Sequence, residues 1–315
     1  MYKNLIYTST KDMTHEEWEE MRKGLKTIGG SDAGVLLGLN GYKSPYALWA
    51  EKTGQIVPED ISTKEAVRLG TDLEEYVAKR FSEETGKKLR RCNAVITNTA
   101  LPWAHANVDR LVVGEDAGFE AKTTSSYDII KQCREGKFPD TYYAQCIHYL
   151  AVTGAERWHL CILAFGTGLF TFTIERDEAE IAALLSAEQD FYKLIENGRP
   201  PEIDGSSSTT QAVKDIFNQS SGATVDLTGI SDTLSMFSMI DKQIKQLEAQ
   251  RDLYKNQIMS YMGNAEKGTY GTWTVSWKTQ NRNTFDRKAF EADNGKIADK
   301  YFKNSTSRPF IVKEK

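Results

Sequence analysis

Residues 108–124 read VDRLVVGEDAGFEAKTT, two β-rich runs joined through a glycine turn with an Asp, a Glu and a Lys set into them. Side chains alternate along a strand, so Glu120 and Lys122, two apart, point to one face. Asp109 ends or interrupts the first run, and all three groups can then converge across a hairpin. A chain built around this segment needs a sheet, and the rest of the sequence supplies helices to cover it.

Residues 14–25, THEEWEEMRKGL, predict a helix opened by Thr14 and Glu17 as a capping box. TIGGSDAGVLLGLNGYKSPYALWAEKTG then predicts a glycine turn, an apolar helix from about Ser31, a turn at NGYKSP and a second helix ending at Gly54. Residues 64–86 predict a long amphipathic helix with Val67, Leu73, Val77 and Phe81 at helical spacing and Gly86 as its stop. The period changes at AVITNT, AHANVDRLVV and GFEAKTT, three strands, and again at ERWHLCILAFGTGLFTFTIE, two more. DTYYAQCIHYLAVTG between them is a helix, and residues 177–197 form another. The order is that of an α/β fold around a mixed central sheet flanked by helices.

NGRPPEIDGSSSTTQAV marks a boundary, because its prolines and serine/threonine run continue neither element. The organisation expected is a body over residues 1–204, a linker over 205–232 and an extension over 233–315. In that extension Phe237, Ile240, Ile244, Leu247, Arg251, Tyr254, Ile258 and Tyr261 alternate three and four apart, a coiled-coil seam interrupted by Arg251. Trp273, Val275 and Trp277 alternate as a short strand, followed by a polar turn and a helix. The extension holds 15 Lys+Arg against 9 Asp+Glu, whereas residues 1–232 hold 25 against 35. A net charge of −4 therefore hides a basic tail on an acidic body.

No apolar run approaches the roughly 18 residues of a membrane span, and residues 1–18 lack the pattern of a secretion signal. The expectation is a cytoplasmic protein with no membrane partner. Cys92, Cys133, Cys146 and Cys161 form no CxxC pair, which argues against zinc or an iron–sulfur cluster.

Hydrolysis of a phosphodiester calls for divalent cations that activate water and offset charge on the phosphorus oxygens. Magnesium takes oxygen ligands, so carboxylates and a backbone carbonyl suit it. Asp109 and Glu120 would share the metals, with the carbonyl of Ala121 as a further ligand. Lys122 would orient or deprotonate the attacking water, or neutralise the transition state. The pattern D-x10-E-x-K is weak alone, since ordinary surface charges produce it. Context adds Gly70 and Glu74 in RLGTDLEEYV, and Gln145 and Tyr149 one turn apart on the later helix.

Together WEEMRKGLKTIGGSDAGVLLGLNGYKSPYALWAEKTG, GTDLEEYVAKRF, VDRLV with GFEAKTT, and YYAQCIHYLAVTG, in this order, resemble the YqaJ-type viral recombinase nucleases. These are relatives of the bacteriophage lambda exonuclease in the PD-(D/E)XK superfamily. The resemblance covers residues 18 to about 205 and implies a restriction-endonuclease-like core. It further implies Glu74, Asp109 and Glu120 as the metal-site acids, Lys122 as the catalytic lysine and Gln145 as a helper. Glu75 competes with Glu74, which stands four after Gly70 as in the family. Tyr149 is either at the site or plain core. Arg22 and Ser31 would bind the DNA 5′ phosphate, unless Ser31 is simply an N-cap. The family's proline before the Asp is here Val108. His105 could touch a phosphate or be structural, and Trp103 and Tyr42 could stack on bases, with core packing the default.

By this resemblance the chain is a magnesium-dependent exodeoxyribonuclease, with manganese able to substitute. It would digest double-stranded DNA ends 5′ to 3′ and leave a 3′ strand for a single-strand annealing recombinase protein. A phage or prophage origin would place it in the host cytoplasm, as a homo-oligomeric ring, commonly a trimer. A structure-selective or nicking endonuclease and a catalytically silent DNA-binding scaffold are the alternatives. The basic extension could pack on its own domain, join protomers, dock the annealing protein or grip DNA.

Overall fold

The computed structural model describes residues 4–14, 17, 26–301 and 308–312. Thr14 N–H donates to Glu17 Oε2 at 2.8 Å and Glu17 N–H to Thr14 Oγ1 at 3.2 Å, the reciprocal cap the sequence predicts. The remainder of the helix expected there, Arg22 included, lies outside the described residues.

The chain divides into two compact units, Met1–Asn218 and Gln219–Lys315. The first opens with β1 (Leu5–Ser9), followed by α1 (Gly30–Leu36), α2 (Pro45–Lys52) and α3 (Glu65–Thr85). Five strands come next, β2 (Leu89–Arg91), β3 (Ala94–Asn98), β4 (Leu101–Asn107), β5 (Arg110–Val112) and β6 (Ala117–Thr124). Helices α4 (Tyr127–Arg134) and α5 (Asp140–Thr153) lead to β7 (Arg157–Ala164), β8 (Gly168–Glu175), α6 (Glu178–Glu196) and α7 (Ser207–Ile216).

The strands make two sheets. One is mixed, in the order β2-β5-β6-β7-β8, and the other is three-stranded, in the order β1-β3-β4. Only β6 and β7 in the larger sheet run parallel; a parallel pair requires a long crossover, and α4 and α5 provide it. The stretch 104–113, expected as one strand, is split between sheets. β4 ends at Asn107 in the small sheet and β5 begins at Arg110 in the large one. Val108 and Asp109 are the step between them, which takes Asp109 off both ladders.

Helix α5 is buried continuously from Ala144 to Thr153, because it packs against strands of both sheets and against α1 and α6. A helix covered all round must be apolar or internally bonded on every side. Its Tyr149 ring stacks 5.0 Å from the ring of fully buried Trp158. Trp158 lies directly across the parallel ladder from Gly118, where a Cβ would stand 2.2 Å from the indole. No residue but glycine lets β6 pass there. Under α3, Val77, Ala78 and Phe81 pack on Phe119 and Cys161 of the large sheet. Val67, expected on that buried face, is exposed.

The expected linker is in part structured. α7 begins at Ser207, its Thr209 hydroxyl donates to Ser44 Oγ at 2.8 Å, and Ala212 is buried beside Tyr46 and Trp49. Contacts of this kind carry the first unit to Asn218 rather than 204.

The second unit holds α8 (Ser231–Met262), the antiparallel hairpin of β9 (Lys267–Tyr270) and β10 (Trp273–Ser276), and α9 (Arg287–Ala298). The seam of α8 forms one continuous helix with no buried side chain. Phe310 meets its first position, Phe237, ring to ring at 6.3 Å. Among the described residues no helix is long and apolar enough to cross a membrane.

Candidate active site

Leaving β4, Asp109 turns toward the edge of β6, where its Oδ2 accepts the Ala121 N–H at 2.9 Å. The N–H and C=O of one strand residue face the same side. Ala121 therefore also aims its carbonyl toward Asp109. β5 pairs with β6 only through Phe119 and Gly118, so this stretch of edge has no strand over it.

On the face of β6 beside that edge, Glu120 is buried and Lys122 partly so. Glu120 Oε1 accepts from Lys122 Nζ at 2.6 Å and from Gln145 Nε2 at 2.8 Å. Its other oxygen, Oε2, is buried without a hydrogen-bond partner. Gln145 also donates to the Tyr149 hydroxyl at 2.8 Å, which in turn donates to the Asn107 carbonyl at 2.9 Å. Lys122 Nζ stands 5.3 Å from the centre of the Tyr142 ring, within cation–π range.

Glu74 faces this group from α3. It lines a cleft of about 300 Å³ together with Asp109, Asn107, Thr71 and Arg91. Its Oε1 bonds Arg110 Nη2 at 2.9 Å. Glu75, which competed for the role, is more exposed, pairs with Arg91 and Arg110, and is absent from the cleft lining. Arg110 escaped the sequence reading: it is buried at the start of β5 and ties α3 to the sheet through both glutamates. Its signal was only an arginine beside the key aspartate.

Every carboxyl of the group holds its proton more tightly than usual. Glu120 is pushed up to about 8, by burial first and then by the Asp109 charge, against the pull of Lys122. Burial raises Asp109, with the Ala121 N–H, Lys122 and Arg110 opposing it. Burial and then Asp109 raise Glu74. Burial works against the Lys122 ammonium too, but Glu120 and Asp109 outweigh it and keep the lysine charged. The result is two held cations, Lys122 and Arg110, among acids that are costly to ionise together. As placed, no group of three or more His, Cys, Asp and Glu side chains among the described residues stands ready to hold a metal. Glu74 is turned to Arg110, and Glu120 to Lys122 and Gln145.

A family model for the YqaJ-like viral recombinase domain matches residues 17–156. The protein described as "Uncharacterized protein YqaJ" of Bacillus subtilis (strain 168) is 36% identical over 315 residues, 98% of this chain and 97% of that one. The chain belongs to the YqaJ family. Among solved structures, an alkaline exonuclease from Laribacter hongkongensis aligns with this YqaJ-family chain at TM-score 0.48 and 21% identity, over 58% of this chain and 93% of that one. Its complex with dAMP aligns at 0.49 and 23% over the same shares. A phage-related exonuclease from Haemophilus somnus 129PT aligns at 0.39 and 13%, over 55% and 96%.

The other candidates of the YqaJ-family chain separate. Ser31 is exposed in the first turn of α1, whose N-cap is Gly29, bonded by the Asp32 carboxylate at 2.9 Å. The adjoining Gly30 abuts the Tyr149 ring, so this turn borders the Gln145–Tyr149 side of the site. His105 is buried, with Nδ1 2.8 Å from Thr27 Oγ1, and takes a structural place in the wall rather than an open face for phosphate. Trp103 packs between two core clusters. Tyr42, for which core packing was the default, is instead 96% exposed on a turn pinned by Asn40.

Proposed function

We propose that the chain is a metal-dependent exodeoxyribonuclease that digests duplex DNA from its ends, 5′ to 3′, leaving a 3′ strand for a single-strand annealing protein. The carrying observation is Glu120 Oε2, a buried carboxylate oxygen without a partner. Such an orphan is costly in a folded interior. A divalent cation beside Asp109 would satisfy it and would favour the ionised form of both acids.

The donors within reach are all oxygen: Asp109, Glu120, Glu74 on rotation from Arg110, and the Ala121 carbonyl. That set suits magnesium, with manganese able to substitute. When bound, such ions supply an activated water and offset charge on the phosphorus and leaving oxygens. The chain's own residues do the rest. Lys122, kept protonated by Glu120, presents a positive charge where the phosphate gains negative charge. Gln145 fixes Glu120 and is itself fixed by Tyr149, which limits the freedom of the pair before substrate arrives. Ser31, with Arg22, would receive the 5′ phosphate, and a ring of protomers, commonly three, would keep the enzyme on its DNA. The family's viral recombinase domain supports a role in phage-type recombination.

Linear duplexes labelled at a 5′-phosphorylated end or at a 3′ end, beside a covalently closed circle, test this in magnesium. Stepwise loss from the 5′ end with the circle spared is expected. Cutting of the circle would mean an endonuclease, and inertness of the wild type a scaffold.

A further inference from the structure

We propose that the β9–β10 hairpin of the second unit binds single-stranded nucleic acid by stacking bases on an aromatic face. Trp273 pairs with Tyr270 and Val275 with Gly268 across the ladder. The Trp277 N–H donates to the Glu266 carbonyl at 2.9 Å, extending the register by one residue. Trp273, Val275 and Trp277 therefore share a face, and Tyr270, directly opposite Trp273, shares it too. Gly268 adds no side chain opposite Val275, and the Met262 methyl lies 4.0 Å from where its Cβ would stand.

These rings are bare. Tyr270 is 84% exposed, Trp273 73% and Trp277 48%. In the turn that presents them Gly271 has φ +55° and Thr272 does not share a positive φ, which marks the type II′ hairpin that favours glycine first. An isolated two-stranded hairpin is only marginally stable, and grouped exposed rings on one mark a contact surface.

Charge identifies the occupant. Residues 266–288 carry five Lys+Arg, namely Lys267, Lys278, Arg282, Arg287 and Lys288, of which Arg287 pairs with Glu291, against Glu266 and Asp286. An anionic partner with exposed flat rings meets both features at once. Single strands offer bases to aromatic side chains and phosphates to nearby cations, whereas a duplex hides its base faces. A protein partner would gain from the basic flank only if its surface were acidic, and it would not offer the repeated flat rings that a single strand does.

The test is fluorescence anisotropy of a short labelled oligothymidylate with the full chain, divalent ions withheld so that nothing is cut. Binding is thus read independently of any nuclease activity. Wild type is expected to bind the oligothymidylate. Tyr270→Ala with Trp273→Ala should weaken binding by about tenfold or more, Trp273→Phe should keep most of it, and Lys278→Gln with Arg282→Gln should flatten its salt dependence. Equal affinity of wild type and the double alanine variant would overturn the proposal. So would a wild type that binds no oligothymidylate, and the face would then belong to a protein partner.

Discussion

Lys122→Ala is expected to lower the rate of duplex digestion by a factor on the order of 10²–10³, the usual cost of removing one preorganised charge from a site of this kind. Among the described residues the lysine is the cation bonded to Glu120. The loss should fall on kcat more than on KM, because Lys122 is held by protein groups before any substrate is present. Lys122→Arg should recover little, since a planar guanidinium does not reproduce a point charge seated 2.6 Å from Glu120 Oε1. Circular dichroism of the variant checks that the sheet persists. A folded Lys122→Ala protein that digests DNA at the wild-type rate would remove Lys122 from the chemistry.

The largest stability effect is expected at a pair outside that site. His148, on α5, and Glu188, on α6, are both fully buried, with Nδ1 2.7 Å from Glu188 Oε1. The other ring nitrogen, Nε2, lies 2.9 Å from the His105 carbonyl. Acceptors on both sides favour an imidazolium that joins α5, α6 and β4. Burial alone would lower the proton affinity of His148, but the Glu188 charge and hydrogen bond, with the His105 carbonyl, raise it above the ordinary imidazole value. His148→Ala leaves a buried carboxylate alone and should cost about 3–5 kcal/mol, read from urea or thermal unfolding. A folded proton affinity above the unfolded one also fixes the sign of the pH dependence. The stabilisation is complete below about pH 6.5, the unfolded value, and is lost as pH rises through the higher folded value. Wild type should therefore lose stability on the alkaline side more steeply than His148→Gln, and parallel curves would refute the charged pair.

What the sequence disclosed follows from how local each signal is. The alternation of β6 put Glu120 and Lys122 on one face, and helical spacing put Gln145 beside Tyr149, so these contacts were legible from the residues alone. The split of residues 104–113 between two sheets was not, because it depends on which strand each half pairs with, β3 for β4 and β2 and β6 for β5, and alternation within the run does not show that. For the same reason Arg110 and the His148–Glu188 pair were invisible: each depends on what a distant element brings to it. The short strands β2 and β5, of three residues each, carry too few residues to show a period. The helix at Ser207 was hidden in a serine and threonine run whose Ser206 serves as an N-cap, accepting the Thr209 N–H at 3.1 Å.

On this account the orphaned oxygen of Glu120 belongs to a cation shared with Asp109. Anomalous diffraction from crystals grown with manganese tests it most directly. The expected result is a peak at about 2.1–2.2 Å from Glu120 Oε2 and an Asp109 carboxylate oxygen, absent from Glu120→Gln crystals. A structure with manganese in the solution but no peak between these two side chains would contradict it.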